Sequence, residues 1–234
     1  MTAAGMGYAE QAETPGHVLS VNVGQVREIS WLGRAWTTAI WKSPVEGRVV
    51  VRGVNLASDD QADRTVHGGD DKAVYAYARE DQEWWEAQLG RPVEPGTFGE
   101  NLTLVGIDVT SASIGERWAV GSTILEVSQP RIPCFKLGAR MGDPDFPHQF
   151  AAAGRPGAYL RILQEGDVAR DDRAVVLSRP THGLTAGDVA HIYHDDHASA
   201  ARLLDVPQLE AGWRAWAQKV VAATRRQHRD AATT

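Results

Sequence analysis

Short apolar runs separated by glycine and proline recur along most of this 234-residue chain. The runs are rich in β-branched and aromatic residues, which is typical of strands. They lie at 17–24, 48–56, 72–78, 100–109, 117–128, 157–163 and 173–178. Too few helical patterns separate them for a doubly wound α/β fold. We therefore predict a mainly β (α+β) chain whose strands form a closed or nearly closed β-barrel, because closure leaves no exposed sheet edge.

Helical patterns interrupt these runs at two places. One covers residues 79–90, with Gly90 as its stop. A second, short helix is expected to begin after Cys134 and to end before Gly142. We interpret the next segment, 143–157, as a long irregular loop, of the kind that is often functional.

The pattern changes after Pro180, where the strand-like runs end. Thr185, followed three residues later by Asp188, is a capping signal for a helix. A second short helix is expected over 197–204. The last helix carries a single apolar stripe with the spacing i, i+4, i+7 and i+11, made of Leu209, Trp213, Trp216 and Val220.

These patterns divide the chain into four segments. The small, polar residues 1–16 are expected to form a mobile leader. A barrel domain is expected over 17–184, and a three-helix appendage over 185–226. The remaining residues, 227–234, are expected to be a tail.

Composition excludes several classes of protein. With one cysteine, Cys134, the chain cannot build an internal disulfide framework, a four-thiolate zinc site or its own cysteine-ligated iron–sulfur cluster. The net charge of -6 argues against a nucleic-acid partner. No run approaches the ~20 apolar residues of a membrane span, and the first residues lack a secretory signal. We expect a cytoplasmic protein that binds neither nucleic acid nor membrane.

The segment 61–77, QADRTVHGGDDKAVYAY, is the first candidate binding site. Its two glycines, Gly68 and Gly69, allow a tight turn and a close approach of the backbone to a ligand. Three side chains suited to phosphate or an oxyanion flank them, Arg64, His67 and Lys72. The alternative interpretation is a charged hairpin turn before a strand.

Two further segments are candidates. In 97–104, Glu100 and Asn101 could present a carboxylate and an amide to the mouth of the barrel, or Asn101 could only cap its own turn. In 128–138, Cys134 follows Arg131 by three residues, and nearby cations favour the thiolate. The alternative for Cys134 is a small, buried apolar residue.

Other noticeable residues are interpreted as structural. The three histidines near a predicted helix end, His191, His194 and His197, are expected to be solvated surface residues. Trp213 and Trp216 are expected to form the core of the appendage. The motifs GxGxxG, GxSxG, HExxH and CxxC are absent from the sequence.

Four motifs occur in a characteristic order. They are Thr38-x-Ile40-x-Lys42, QADRxVHGGxDKAVYAY, FGENLT and VSQPRxPCxKL. Together they resemble the MOSC family, named after the C-terminal part of molybdenum cofactor sulfurases, and the C-terminal helices resemble its YiiM-like branch. The resemblance covers roughly 17–226. Asp59-Asp60 and Asp171-Asp172 depart from it, because the family pattern leads us to expect a glycine before the Asp-Gln-Ala-Asp run and a Gly-Asp turn before the last strand.

The resemblance implies a molybdenum–pterin cofactor with Cys134 as the molybdenum ligand. It places the cofactor-binding positions at Lys42, Arg64, His67, Gly68, Gly69, Lys72, Asn101 and Arg131. His67 is a further catalytic candidate, as a proton donor. Such proteins reduce small N-hydroxylated compounds, including hydroxylaminopurine-type base analogues, in a detoxifying reaction that here needs a separate electron-donor protein.

Two functions remain open from the sequence, besides that of a barrel binding module whose cysteine is only packed. One is a molybdenum-dependent reductase of N-hydroxylated compounds, and the other is a sulfur carrier with a Cys134 persulfide. The appendage could form a homodimer, dock an electron donor or close over the barrel mouth. The sequence does not choose among these roles.

Overall fold

A computed structural model describes residues 8–9, 15–62 and 68–231 of the protein. In that part of the chain the strands are β1 (Tyr8–Ala9), β2 (Gly16–Val23), β3 (Arg27–Trp31), β4 (Arg34–Thr38), β5 (Ser43–Pro44), β6 (Val49–Arg52), β7 (Asn55–Leu56), β8 (Val74–Ala78), β9 (Leu102–Val105), β10 (Arg117–Val120), β11 (Thr123–Pro130), β12 (Ala158–Gln164), β13 (Gly166–Val168) and β14 (Arg173–Pro180). The α-helices are α1 (Arg79–Leu89), α2 (Phe135–Met141), α3 (Phe146–Ala152), α4 (Ala186–His194) and α5 (Ala211–Ala231). Two 3₁₀ helices cover Asp70–Lys72 and His197–Asp205.

Seven strands close into a barrel, in the order β14, β10, β11, β12, β8, β9 and β2. The barrel closes where β14 pairs with β2, with Arg173 opposite His17. Every neighbouring pair is antiparallel except β8 and β9, which run parallel with Ala76 opposite Leu102. The predicted mainly β fold with a closed barrel is therefore confirmed.

Smaller strand groups surround the barrel. β3 and β4 form a hairpin, and β13, β6 and β7 form a three-stranded sheet. β1, which falls within the expected leader, pairs with the end of β14, with Tyr8 opposite Pro180. The other leader residues up to Thr14 lie outside the described ones. Gly16, the last residue of the expected leader, already belongs to β2.

Both helices expected beside the barrel are present, but the loop expected over 143–157 is wrong. α1 ends at Gly90, whose φ of 63° is the left-handed conformation that favours glycine. The presumed loop contains α3, with Pro147 in its first turn, where proline is tolerated because that N–H needs no helical partner. Phe146 and Phe150, four residues apart, bury one face of this helix in an aromatic cluster.

The C-terminal helices agree in number with the prediction but differ in type and length. α4 begins with the predicted capping box, in which the Thr185 side chain accepts from the Asp188 amide. The middle helix is 3₁₀, and α5 continues to Ala231, so the expected tail at 227–234 begins within a helix. In the described residues no helix combines the length and apolar character that crossing a bilayer requires.

The barrel and the C-terminal helices share one hydrophobic core. Val127 and Leu160 of the barrel belong to the same buried cluster as Ile192, Leu203 and Trp213 of the helices. Backbone bonds join the two parts as well, since the Glu210 amide donates to the Ser128 carbonyl. No gap in the core marks the boundary expected at residue 185.

Candidate functional site

A cavity that opens to solvent lies beside Cys134, between the barrel and the segments that follow β4 and β7. It encloses about 100 Å³. Its lining is rich in cations and tyrosines, and includes Lys42, Asp59, Asp60, Lys72, Tyr75, Asn101, Arg131, Cys134, Lys136 and Tyr159. The cations outnumber the carboxylates by four to two, so the cavity suits an anionic group.

One side of the cavity rests on a buried ion pair that sequence reasoning missed. Lys42 and Asp59 are each only 8% exposed, and the Lys42 ammonium donates to both carboxylate oxygens of Asp59. The backbone amide of Gly24 and the side-chain amide of Asn101 also donate to this carboxylate, at 2.7 and 2.9 Å. Burial lowers the pKa of Lys42, while the charge of Asp59 opposes that shift.

Arg131 is a buried cation with spare hydrogen-bonding capacity. Its side chain is held between the rings of Tyr75 and Phe150, with the guanidinium carbon 5.4 Å from each ring centroid. The residue is 5% exposed, and its Nη1 atom has no hydrogen-bond partner among the described residues. Burial disfavours the charge, but Tyr75, Tyr159 and Cys134 outweigh burial and raise the pKa of the guanidinium. An anion in the cavity would satisfy the orphaned Nη1 donor.

Cys134 lies where β11 leaves the barrel and α2 begins. It is half-buried, and its carbonyl accepts a bond from the Leu137 amide at 2.9 Å. Cys134 lines the same cavity as the buried cation Arg131. The sulfur-bearing residue and the buried guanidinium therefore share one cavity wall.

The glycine pair of the first candidate segment shapes a turn and does not line the cavity. Gly69 has a φ of 95°, which few residues other than glycine adopt, and its carbonyl accepts from the Lys72 amide in the 3₁₀ helix that follows. That helix brings Lys72 to the cavity wall. Arg64 and His67 lie outside the described residues, so their roles stay predictions.

Glu100 and Asn101 are both buried, but only Asn101 reaches the cavity. Glu100 accepts bonds from the amides of Gly96 and Phe98 and from Gln82, and it lies inside the protein and not at the mouth. Burial raises its pKa, although these bonds oppose the shift. Asn101 does not cap its own turn, because its Oδ1 atom accepts from the Tyr75 amide.

The structure also agrees with the interpretation of three histidines as surface residues and of two tryptophans as core residues. His191, His194 and His197 are exposed, and no group of three or more potential metal-binding side chains occurs in the described part of the chain. Trp213 is buried in the main core and Trp216 packs against it. Both tryptophans also line a second depression, which Cys134 lines as well.

Asp59 is a cavity residue that sequence reasoning missed. It belongs to the Asp59-Asp60 pair, where the sequence departs from the expected family pattern. Its ion-pair partner, Lys42, lies seventeen residues earlier in the chain, and no local pattern indicates that pairing.

Comparisons with known proteins agree on one family. The family model described as the MOSC domain matches residues 63–175. The uncharacterized protein YflK of Bacillus subtilis (strain 168) is 36% identical over 201 residues, which cover 85% of this chain and 91% of YflK. A protein named Reductase from Gibberella moniliformis is 31% identical over 83% of this chain, which spans 35% of that longer protein.

A solved structure supports the same assignment. The crystal structure of YiiM from Geobacillus stearothermophilus is 33% identical and matches with a TM-score of 0.73, covering 88% of this chain and 99% of that one. Similarity of sequence and fold extends over nearly the whole length of both chains. The protein therefore belongs to the MOSC domain family, beside its YiiM-like members.

Proposed function

We propose that this protein is a molybdenum–pterin-dependent reductase of N-hydroxylated compounds of the hydroxylaminopurine type, with Cys134 as the metal ligand. The observation that carries the proposal is the placement of a half-buried cysteine beside Arg131, whose buried Nη1 donor has no hydrogen-bond partner in the described part of the chain. The relative named Reductase supports an oxidoreductase, although this chain matches only a third of its length. The cysteine also fits a reducing, cytoplasmic setting.

The residues around the cavity fit such a cofactor. A thiolate is a soft ligand of the kind that heavier redox metals accept. Arg131, Lys72 and Lys136 would offset the negative charge of the cofactor's phosphate and dithiolene groups. The enclosed 100 Å³ takes only part of a pterin, so the rest would lie in the open mouth.

When bound, the cofactor would supply the two-electron redox chemistry. The net reaction is R–NH–OH plus two electrons and two protons giving R–NH₂ and water, with the electrons coming from a separate donor protein. The residues of the chain would bind the cofactor, orient it and neutralise its negative charge. Asp59 would fix the position of Lys42, and Arg131 would hold an anionic group next to the sulfur. We assign the proton donation to His67, as the sequence suggests.

The alternative is a sulfur carrier that forms a persulfide on Cys134. One observation favours it: the residue lines three adjoining depressions, so a terminal sulfur has room and access. Arg131 would then stabilise the persulfide anion. This function needs no molybdenum.

The deciding experiment is metal analysis of protein made in a host that synthesises the cofactor. We expect near-stoichiometric molybdenum in the natural protein, its loss in Cys134→Ala, and its retention in the control Ser111→Ala, which alters an exposed serine away from the cavity. Equal molybdenum content in Cys134→Ala would contradict the ligand assignment. A melting curve for each variant shows that the fold is intact.

Two further measurements separate the functions. Mass spectrometry after incubation with a cysteine desulfurase should show no stable persulfide on Cys134 if the protein is a reductase. Loaded protein with a supplied electron donor should convert 6-hydroxylaminopurine to the amine. Failure of fully metallated protein with several donors would exclude this substrate class.

A further inference from the structure

We propose that the C-terminal helices form the binding site for the planar aromatic ring of the substrate, in a groove next to Cys134. We call this depression the helix-side groove; its walls include Tyr193, Trp213, Trp216, Glu210, Pro133 and Tyr159. The inference rests on the proposed function for the identity of the ligand as substrate. It assigns to the appendage a role that the sequence left open.

The groove has the size and surface of a small-molecule site. It encloses about 390 Å³, which lies within the range of ~300–1,000 Å³ that is usual for ligand pockets. Tyr193 is central to its aromatic wall, with ring centroids 5.3 Å from both Trp213 and Trp216. Tyr193 and Trp216 are only half-buried, so the core does not cover them completely. Such rings offer a flat surface on which a planar ligand can stack.

Hydrogen bonds hold the aromatic wall in place. The Trp213 indole N–H donates to Gln129 Oε1 at 3.0 Å, and the Gln129 amide donates to the Asp71 carbonyl at 3.2 Å. Gln129 belongs to β11 of the barrel. The wall is therefore anchored to the strand that leads into Cys134, and the groove is largely preformed.

A carboxylate gives the groove a preference for hydrogen-bond donors. Glu210 lines it and is half-buried. One of its oxygens accepts from the Gly212 amide at 2.8 Å, and no described residue donates to the other oxygen, which can therefore accept from a ligand. The Gln129 amide is already engaged on both sides. A stacked ring with N–H groups on its edge matches this arrangement, so the ligand class is a nitrogen-containing heteroaromatic.

The groove is continuous with the cavity. Cys134, Ile132, Tyr159 and Lys72 line both. A ring that stacks on Trp216 thus has its substituents within the same depression as the sulfur. Orienting the reacting group in this way is a major source of rate enhancement.

The test uses adenine as a probe with the full-length protein, both loaded with cofactor and free of it. Adenine is planar and carries N–H donors, but it has no N–O bond, so its binding does not depend on turnover. Calorimetry should show that adenine binds and that cyclohexanecarboxamide, which lacks a planar ring, does not. Equal binding of both compounds would overturn the proposal.

Three variants and one control locate the site. Trp216→Ala should weaken adenine binding about 10-fold, the usual effect of removing one stacking partner of a base. Trp216→Phe should restore most of the affinity, and Glu210→Gln should weaken binding several-fold. The control is Trp84→Ala, a half-buried tryptophan of α1 outside the groove, which should change binding by less than two-fold. An equal effect of Trp216→Ala and Trp84→Ala would refute the site.

The proposed ring-binding site and the proposed reductase function can be refuted independently, because adenine binding tests the first and turnover tests the second. If adenine binds as described but molybdenum-loaded protein reduces no N-hydroxylated compound, the groove stands and the reductase proposal fails. If the loaded protein reduces 6-hydroxylaminopurine while Trp216→Ala changes neither KM nor adenine binding, the reductase stands and the groove fails. In a correct assignment, KM rises in Trp216→Ala more than kcat falls.

Discussion

The two concave surfaces that meet at Cys134 differ in their chemistry and in their origin. The cavity is lined by buried and half-buried charges, among them Lys42, Asp59 and Arg131. The helix-side groove is lined mainly by aromatic rings, with Tyr193 and Trp216 at its wall. Barrel strands and their connecting loops supply the charges, and the helices after β14 supply most of the rings. The charged groups and the aromatic rings near Cys134 therefore come mainly from different parts of the chain, and we expect them to act on different parts of a ligand.

The largest effect on the cavity side is expected from Asp59→Asn. Removing one partner of a buried ion pair leaves the Lys42 ammonium buried without a counter-charge, which costs about 3–5 kcal/mol of unfolding free energy. Urea denaturation at pH 7 measures this loss. The control is Asp167→Asn, because Asp167 pairs with Arg48 at the surface and should matter far less.

The loss of unfolding free energy in Asp59→Asn should depend on pH in a defined direction. Burial lowers the pKa of Lys42 in the folded protein, so between that value and the ordinary lysine pKa of about 10.5 the unfolded chain binds more protons. Stability contributed by this group therefore rises with pH in that window. Without Asp59 the pKa of Lys42 falls further. The difference in unfolding free energy between the natural protein and Asp59→Asn should therefore shrink between pH 7 and pH 9.5. A deficit that grows over this range would contradict the assignment.

Arg131→Met should weaken cofactor binding without a matching loss of protein stability. The substitution keeps much of the side-chain volume between Tyr75 and Phe150 but removes the charge. Cofactor retention should weaken by about 1.5–3 kcal/mol, or roughly 10- to 100-fold, measured as molybdenum lost on dialysis. The unfolding free energy of the cofactor-free protein should change by less than this, because methionine retains the packing between the two rings. Unchanged molybdenum content would show that Arg131 has only a structural role.

The smallest effect is expected on the groove side, from Thr185→Ala. Loss of the capping box at the start of α4 should cost about 1 kcal/mol of stability. Because α4 carries Tyr193, adenine binding should weaken while molybdenum content stays constant. Thr185→Ser keeps the capping oxygen and serves as the control. A fall in molybdenum content in Thr185→Ala alone would show that the two surfaces are not independent.

Local signals were enough to predict most elements of the fold. The alternation of apolar runs and turn residues predicted the barrel strands. Gly90 indicated the end of α1, and Thr185 indicated the start of α4. α3 was missed because the whole segment 143–157, which also contains Pro144 and Pro156, was interpreted as an irregular loop. The four-residue spacing of Phe146 and Phe150 was the signal for a helix in that segment.

The site was predictable where it depends on short motifs and not where it depends on distant pairing. Cys134, Arg131 and Asn101 lie in motifs and line the cavity. Asp59 reaches Lys42 only because the turns after β4 and β7 bring them together, and no local pattern encodes that approach. The dual position of Trp216, packed on one side and open to a groove on the other, likewise requires the folded chain.

The shared core has a consequence for how this protein can change over evolution. Helix residues that face the groove, such as Trp213, are also packing partners of the barrel. A different C-terminal segment cannot simply replace this one to change the ligand preference. Its helices would still have to pack against the buried residues of the barrel. The range of ligands is therefore expected to change through substitutions at single half-buried positions such as Glu210, while the helices are retained.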